Sequence, residues 1–224
     1  MKRHLLSLSL IALLAPASLA APIESPSAAD LLGRLLATND RYVREHRPQD
    51  FEHFQQQQSP GITMLGCSDS RAHSHSFVED PTNQIFSVRN IGNQLQNSFG
   101  SVDYGVHHLH TPILLIMGHT HCGAIHAALE NYAEESFAVI REIDHLTIPL
   151  RPLFRRQLPE PQDTLGFESI WAEATERNVD YQVKVALRRY QPEIAAGRLT
   201  VVGAVYDFID AYGAGQGRLV LVNL

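Results

Sequence analysis

Ile113-Leu114-Leu115-Ile116-Met117-Gly118-His119-Thr120-His121-Cys122-Gly123 is the stretch on which the fold turns. Its apolar start is too short for a helix and reads as a strand buried on both faces. His119 and Cys122 follow directly, and Gly123 opens a run with helical spacing as far as Asn131. A strand that carries ligand-type side chains at its carboxyl end and runs straight into a helix is half of a βα unit. Working outward, similar short apolar runs occur at Ile62-Thr63-Met64-Leu65, Ile85–Val88 and Leu199–Tyr206. Another, Arg218–Val222, follows Gly213-Ala214-Gly215-Gln216-Gly217, which is read as a hairpin turn rather than a nucleotide loop. Helical patterns lie between them at Phe99–His110 and Phe167–Tyr190. Leu31, Leu32, Leu35 and Leu36 start an N-terminal helix that continues through Tyr42 and Val43, and Phe51–Gln58 is helical or irregular up to Ser59-Pro60. The fold class is α/β: a mainly parallel central sheet flanked by helices, with an N-terminal helical arm.

Composition narrows the chemistry. The chain has 224 residues, 44% hydrophobic and 19% charged, with 14 Gly and 12 Pro, which excludes disorder, collagen and a coiled coil. A net charge of −6 argues against a nucleic-acid surface. Lys2 and Lys184 are the only lysines and neither follows a glycine-rich loop, so a Walker-type phosphate site is excluded and lysine catalysis would rest on Lys184 alone. Lys2-Arg3-His4, the apolar run Leu5–Leu14 and the small residues ending at Ala20 read as a secretory signal. The run is interrupted by Ser7, Ser9 and Pro16, too short for a membrane anchor. The expected organisation is residues 1–20 signal peptide, 21–28 tether and 29–224 one folded domain, with no membrane contact once the signal is removed. The 18 basic residues less Lys2 and Arg3, against 24 acidic ones, leave −8 on the mature chain, expected in an oxidising periplasm.

In such a compartment Cys67 and Cys122 need a reason to stay reduced. Cys67 follows the run ending at Leu65, and His119 and Cys122 follow the run ending at Met117, so two neighbouring strands can bring the three together beyond their carboxyl ends. Thiolate and imidazole are natural zinc ligands, and three of them leave a fourth position for water or substrate. Asp69 could fill or guard that position, and Arg71 can hold Asp69 in a bidentate pair. Spacing alone does not separate this site from a Cys67–Cys122 disulfide.

The surrounding sequence does. Cys67-Ser68-Asp69-Ser70-Arg71 followed by Gly118-His119-Thr120-His121-Cys122-Gly123-Ala124 resembles the β-class carbonic anhydrases. Supporting segments are Gln58-Ser59-Pro60 (as in the family's plant-like branch), Val88-Arg89-Asn90-Ile91-Gly92-Asn93, Ser101–Val106, Asn178-Val179 with Gln182-Val183, and Gly203–Asp207. The resemblance implies one zinc per chain on Cys67, His119 and Cys122, and reversible hydration of carbon dioxide to bicarbonate by zinc-bound hydroxide. It implies that Asp69 accepts a hydrogen bond from that hydroxide, that Arg71 orients Asp69, and that Gln58 donates to the bound carbon dioxide or bicarbonate. It implies further that Phe86, Ile91 and Tyr104 line a small apolar pocket, and that the backbone N–H of Gly123 faces it. The family's pocket lies at a dimer interface, so a homodimer or dimer of dimers is expected, with Gln58, Phe86 and Tyr104 serving the partner's zinc. The plant-like Gln58 favours an open site, in which Asp69 stays off the metal. Ala72-His73-Ser74-His75 departs from the family's usual Val-Pro-x-Glu, and Phe77–Asn83 is also unusual, which concerns the pocket rim. Alternatives are a related zinc hydrolase of carbon disulfide or carbonyl sulfide, and a non-enzymatic exported α/β protein with a Cys67–Cys122 disulfide. Of the 12 histidines only His119 is expected to bind metal, His121 pointing elsewhere; His75, four residues from Arg71, is the candidate proton shuttle.

Overall fold

The computed structural model describes residues 26–156, 158, 159 and 163–223. The export signal at 1–20 therefore lies outside the described residues, as does most of the tether. The chain divides into two compact units, one ending at Glu52 and the other beginning at His53.

The first unit holds α1 (Ala28–Glu45) and α2 (Gln49–Glu52). A capping box starts α1: the Ser27 hydroxyl accepts from the Asp30 N–H, and the Asp30 carboxylate accepts from the Ser27 N–H. No residue of α1 is buried. Leu31, Leu32, Leu35 and Leu36 form an apolar stripe 52–63% exposed among the described residues.

The second unit is built on one sheet of β1 (Ile62–Cys67), β2 (Ile85–Asn90), β3 (Ile113–His119), β4 (Thr200–Asp207) and β5 (Arg218–Asn223), in the order β2-β1-β3-β4-β5. The first four strands are parallel and β5 is antiparallel to β4, as the hairpin reading of Gly213–Gly217 requires. The chain leaves β1 on one side to make β2 and returns on the other to make β3. Strand order thus reverses between β1 and β3, which opens a crevice at their carboxyl ends.

Leu114 and Ile116 face one side of the sheet, while Leu115 and Met117 face the other, the two-residue period of a strand. The first side is covered by α6 (Thr164–Arg189), whose Val179, Val183 and Ala186, with Tyr190 just past its end, join Leu65, Leu114, Ile116 and Val205 in the main core. Close approach is possible because β3 and β4 offer glycines there. A Cβ on Gly118 would lie 2.8 Å from Val179 Cγ2, and one on Gly203 would lie 3.0 Å from Val179 and Val183.

Two segments differ from the periodicity. Phe99–His110 is not one helix: α3 (Phe99–Asp103) passes into a π-helical turn, Tyr104–His108. The turn is pressed onto β1, where a Cβ on Gly105 would lie 2.0 Å from Thr63 Oγ1. The sequence also predicts no element between Asn131 and Phe167, yet α5 (Phe137–Phe154) stands there beside α4 (Gly123–Leu129). Pro149 and Pro152 lie inside α5 and mask its stripe Ile143, Leu146, Leu150, Leu153, all of it buried. Prolines in a helix cost about 3 kcal/mol or more each, whereas each fully buried Leu or Ile returns about 1.5–3 kcal/mol. α7 (Gln191–Ala195) closes the path into β4.

Candidate metal centre

Cys67 is the last residue of β1, His119 the last of β3, and Cys122 the residue that begins α4. The crevice between β1 and β3 therefore brings all three together, with their ligand atoms within 4.8 Å of one another. Among the described residues this is the one such group, and each member is buried. The two sulfurs are 4.0 Å apart and both thiols are free. Bonded sulfurs sit at about 2.05 Å, so the disulfide alternative is not favoured.

The donor set fits a metal on a specific observation. The Nδ1–H of His119 donates to the Thr120 carbonyl at 2.9 Å, which leaves the Nε2 lone pair as the free end of the ring. That Nε2 is buried with no hydrogen-bond partner among the described residues. A buried polar atom left unpaired costs about 1–3 kcal/mol, and a metal ion removes the deficit. The thiol pair is polarised: a hydrogen bond from Cys122, with help from His119 and the Gly92 N–H, holds Cys67 far below the usual thiol range. The same bond and burial push Cys122 up. Metal coordination deprotonates both thiols outright.

Asp69 stands beside this group, its Oδ2 3.8 Å from His119 Nε2. Arg71 grips it bidentately, with Nε on Oδ1 at 2.9 Å and Nη2 on Oδ2 at 2.7 Å, and adds its backbone N–H. These bonds outweigh desolvation and hold the Asp69 carboxyl at about 2. Arg71 also lies over the Phe208 ring at 4.9 Å.

Gly123 directly follows Cys122, with open space where a Cβ would stand. Ile91 is partly exposed just past β2, next to Gly92. The other pocket residues are elsewhere. In the β1–β2 register Phe86 pairs with Thr63, while Cys67 pairs with Asn90, so Phe86 is ~13 Å down the sheet from the ligands. Its ring lies 5.7 Å from that of Tyr104. Tyr104 in turn shares a hollow with Gln58, Phe54 and His108, and no metal ligand lines it.

His121 is not in the ligand group: its backbone is left-handed (φ +52°) and its Nε2 is 2.6 Å from Glu168. His75 is exposed, with its Nδ1 2.8 Å from that of His73. Arg89, which the sequence places only in a segment supporting the resemblance, donates to the Cys67, Asp69 and Ala72 carbonyls at 2.9, 2.6 and 2.9 Å and so ties the whole loop to β2. A cation closing an apolar strand-like run, inside that segment, is the signal that could have found this role. Trp171 and Glu168 were missed too, since nothing in a helical pattern marks which residues meet a distant loop.

An α/β sheet with a buried Cys₂His centre at its strand-order reversal defines a zinc-type metalloenzyme. A sequence model of the carbonic anhydrase family matches residues 62–213, and the chain belongs to that family, in its β class. Carbonic anhydrase 2 of Mycobacterium tuberculosis is 28% identical over 195 residues, covering 82% of this chain and 87% of that one. The carbonic anhydrase of Mycolicibacterium smegmatis is 28% identical over 158 residues, 69% of this chain and 74% of that one. Among solved structures, the Coccomyxa β-carbonic anhydrase in complex with acetazolamide has a TM-score of 0.69 at 26% identity, covering 85% of this chain and 86% of that one. A tetrameric β-carbonic anhydrase of Sordaria macrospora has a TM-score of 0.71 at 22% identity, covering 87% and 98%, a likeness of fold. The protein is a zinc enzyme whose reaction interconverts carbon dioxide and bicarbonate.

Proposed function

We propose that the hydration is carried out at Cys67, His119 and Cys122 with Asp69 as the catalytic carboxylate, Arg71 holding it, and a second copy of the chain completing the pocket. The observation that carries this is the buried, unpaired His119 Nε2 within reach of a carboxylate already locked by Arg71. Zinc bound there supplies a nucleophile at neutral pH by lowering the pKa of water to about 7. Asp69, ionised through the working pH range, accepts the hydrogen bond of the reacting water and sets its direction. The Gly123 N–H, at the start of α4, and the Gln58 amide of the second copy donate to the negative charge that develops on the product. Ile91, with Phe86 and Tyr104 of the second copy, gives the apolar wall that suits carbon dioxide. With both Asp69 oxygens held by Arg71, the open form is favoured. A crystal grown at pH about 8 with Asp69 on the metal would overturn it.

Support for a dimer or dimer of dimers comes from two features. Phe86 lies far down the sheet from the chain's own ligands with the Tyr104 ring beside it, and the leucines of α1 are more than half exposed. We further propose residues 29–224 as the enzyme and the periplasm as its place, on the signal-like residues 1–20; mature protein beginning at Ala21 in a periplasmic fraction tests both. Zinc analysis with thiol titration after chelation, joined to stopped-flow hydration, tests the central reading. About one zinc, two thiols and rapid carbon dioxide hydration are expected. No zinc, or faster turnover of carbon disulfide or carbonyl sulfide, would sink it.

A further inference from the structure

The loop Thr120-His121-Cys122 carries contacts that the mechanism above does not use. Trp171, on α6, donates its Nε1–H to the Cys122 carbonyl at 3.0 Å. Its indole lies flat on the His121 imidazole, with ring centroids 4.6 Å apart and planes 14° off parallel. Three residues earlier on α6, Glu168 Oε2 is 2.6 Å from His121 Nε2. His126 and Phe167 pack edge-on against the same indole. His121 is thus gripped on its face and at its ring edge by one helix.

What this grip holds is a left-handed backbone, φ +52°, uncommon for residues other than glycine. With the backbone turned this way the His121 carbonyl accepts from Arg71 Nη2 at 3.0 Å. That same nitrogen donates to Asp69 Oδ2 at 2.7 Å. A continuous path of contacts runs from α6 through the His121 ring and carbonyl to Arg71 and the carboxylate. A left-handed residue persists only where its surroundings over-determine it. Here the surroundings are Trp171, Glu168 and Arg71.

We propose that Trp171 and Glu168 are positioning residues: they lock the left-handed turn at His121, whose carbonyl fixes the Arg71–Asp69 pair against the metal centre. This rests on the catalytic reading of Asp69, and the test separates the two. Trp171 is also the chain's one tryptophan, so its emission reports on the ligand loop without any assay of turnover.

The variants are Trp171→Phe, which keeps a stacking ring and removes the N–H, Glu168→Ala, and Glu168→Gln, which keeps a hydrogen-bonding end. In Trp171→Phe and Glu168→Ala, kcat per bound zinc is expected to fall about 5–20-fold with KM unchanged, and Glu168→Gln to recover most of the loss. Zinc titrated into the apo wild type shifts the Trp171 emission, and in apo Glu168→Ala the shift is at most half as large. Wild-type kcat per bound zinc in both Trp171→Phe and Glu168→Ala overturns the proposal. So does activity that falls only in step with zinc content or melting temperature, the mark of a merely structural role, and so does failure of the glutamine to restore kcat. If Asp69→Asn keeps full activity while the emission shift persists, the catalytic reading fails and the clamp on the loop stands.

Discussion

Asp69 is defined by what holds it. Both its oxygens are taken by Arg71, whose own side chain is 53% exposed, so the pair contributes little to stability and much to direction. Asp69→Asn keeps the shape and removes the charge. It is expected to lower kcat/KM about 10²-fold, measured by stopped flow, and to move unfolding free energy by less than about 1 kcal/mol in a denaturant melt. Gly92 works in the opposite sense. It has φ +72°, and an added Cβ would lie 2.7 Å from Leu146 Cδ1. Gly92→Ala should therefore cost about 1–3 kcal/mol of stability, and zinc should leave it faster under chelator, because the Gly92 N–H supports Cys67. The grouping of Cys67, His119 and Cys122, with Asp69 and Arg71 beside it, was legible because two short continuous motifs carry all five residues. Arg89 was not, because its work is done on carbonyls 17 to 22 residues away.

At the scale of elements, strands were read more truly than helices. Short apolar runs between turn residues have few other interpretations, and β1 to β5 fall within a few residues of their expected places. α5 was lost because Pro149 and Pro152 obscure its pattern, although buried Leu146, Leu150 and Leu153 sustain it. The contact of α6 with β3 depends on Gly118: Gly118→Ala forces Val179 aside and should cost about 1–3 kcal/mol by equilibrium unfolding, with the adjoining His119 displaced and zinc affinity reduced. At α3 and the end of α6, Asp103 accepts from Arg189 Nε at 2.9 Å and from the Tyr190 hydroxyl at 2.8 Å. Arg189, first among these, draws the Asp103 carboxyl below its ordinary 3.8. A depressed carboxyl stabilises the fold above its unfolded value and loses that contribution as pH falls through the folded one. Wild type should thus exceed Asp103→Asn by about 1 kcal/mol at pH 7, in view of the exposed Arg189, and the gap should close on acidification below pH about 4. Melts at both pH values measure it.

For the whole molecule, zinc belongs to the stability of the fold as well as to catalysis. Held by Cys67, His119 and Cys122 it would join β1, β3 and α4, so at a free concentration about 1,000 times its Kd it should add about 4 kcal/mol, lost on dialysis against chelator and read by calorimetry. If a second copy covers the α1 leucines, Leu32→Asp with Leu36→Asp should lower the mass seen in sedimentation, and turnover with it, since Phe86 and Tyr104 would no longer reach a metal. The sequence by itself determined the elements of the sheet, the residues of the metal cluster and the family, because periodicity and the two signature motifs are local properties of the chain. Only the tertiary structure decided that Cys67 and Cys122 face each other as free thiols, that His119 is left with an unpaired nitrogen, and that Arg89 and Trp171 serve the site. Those facts follow from strand order and from the close seating of α6 on β3, which join residues far apart in the chain.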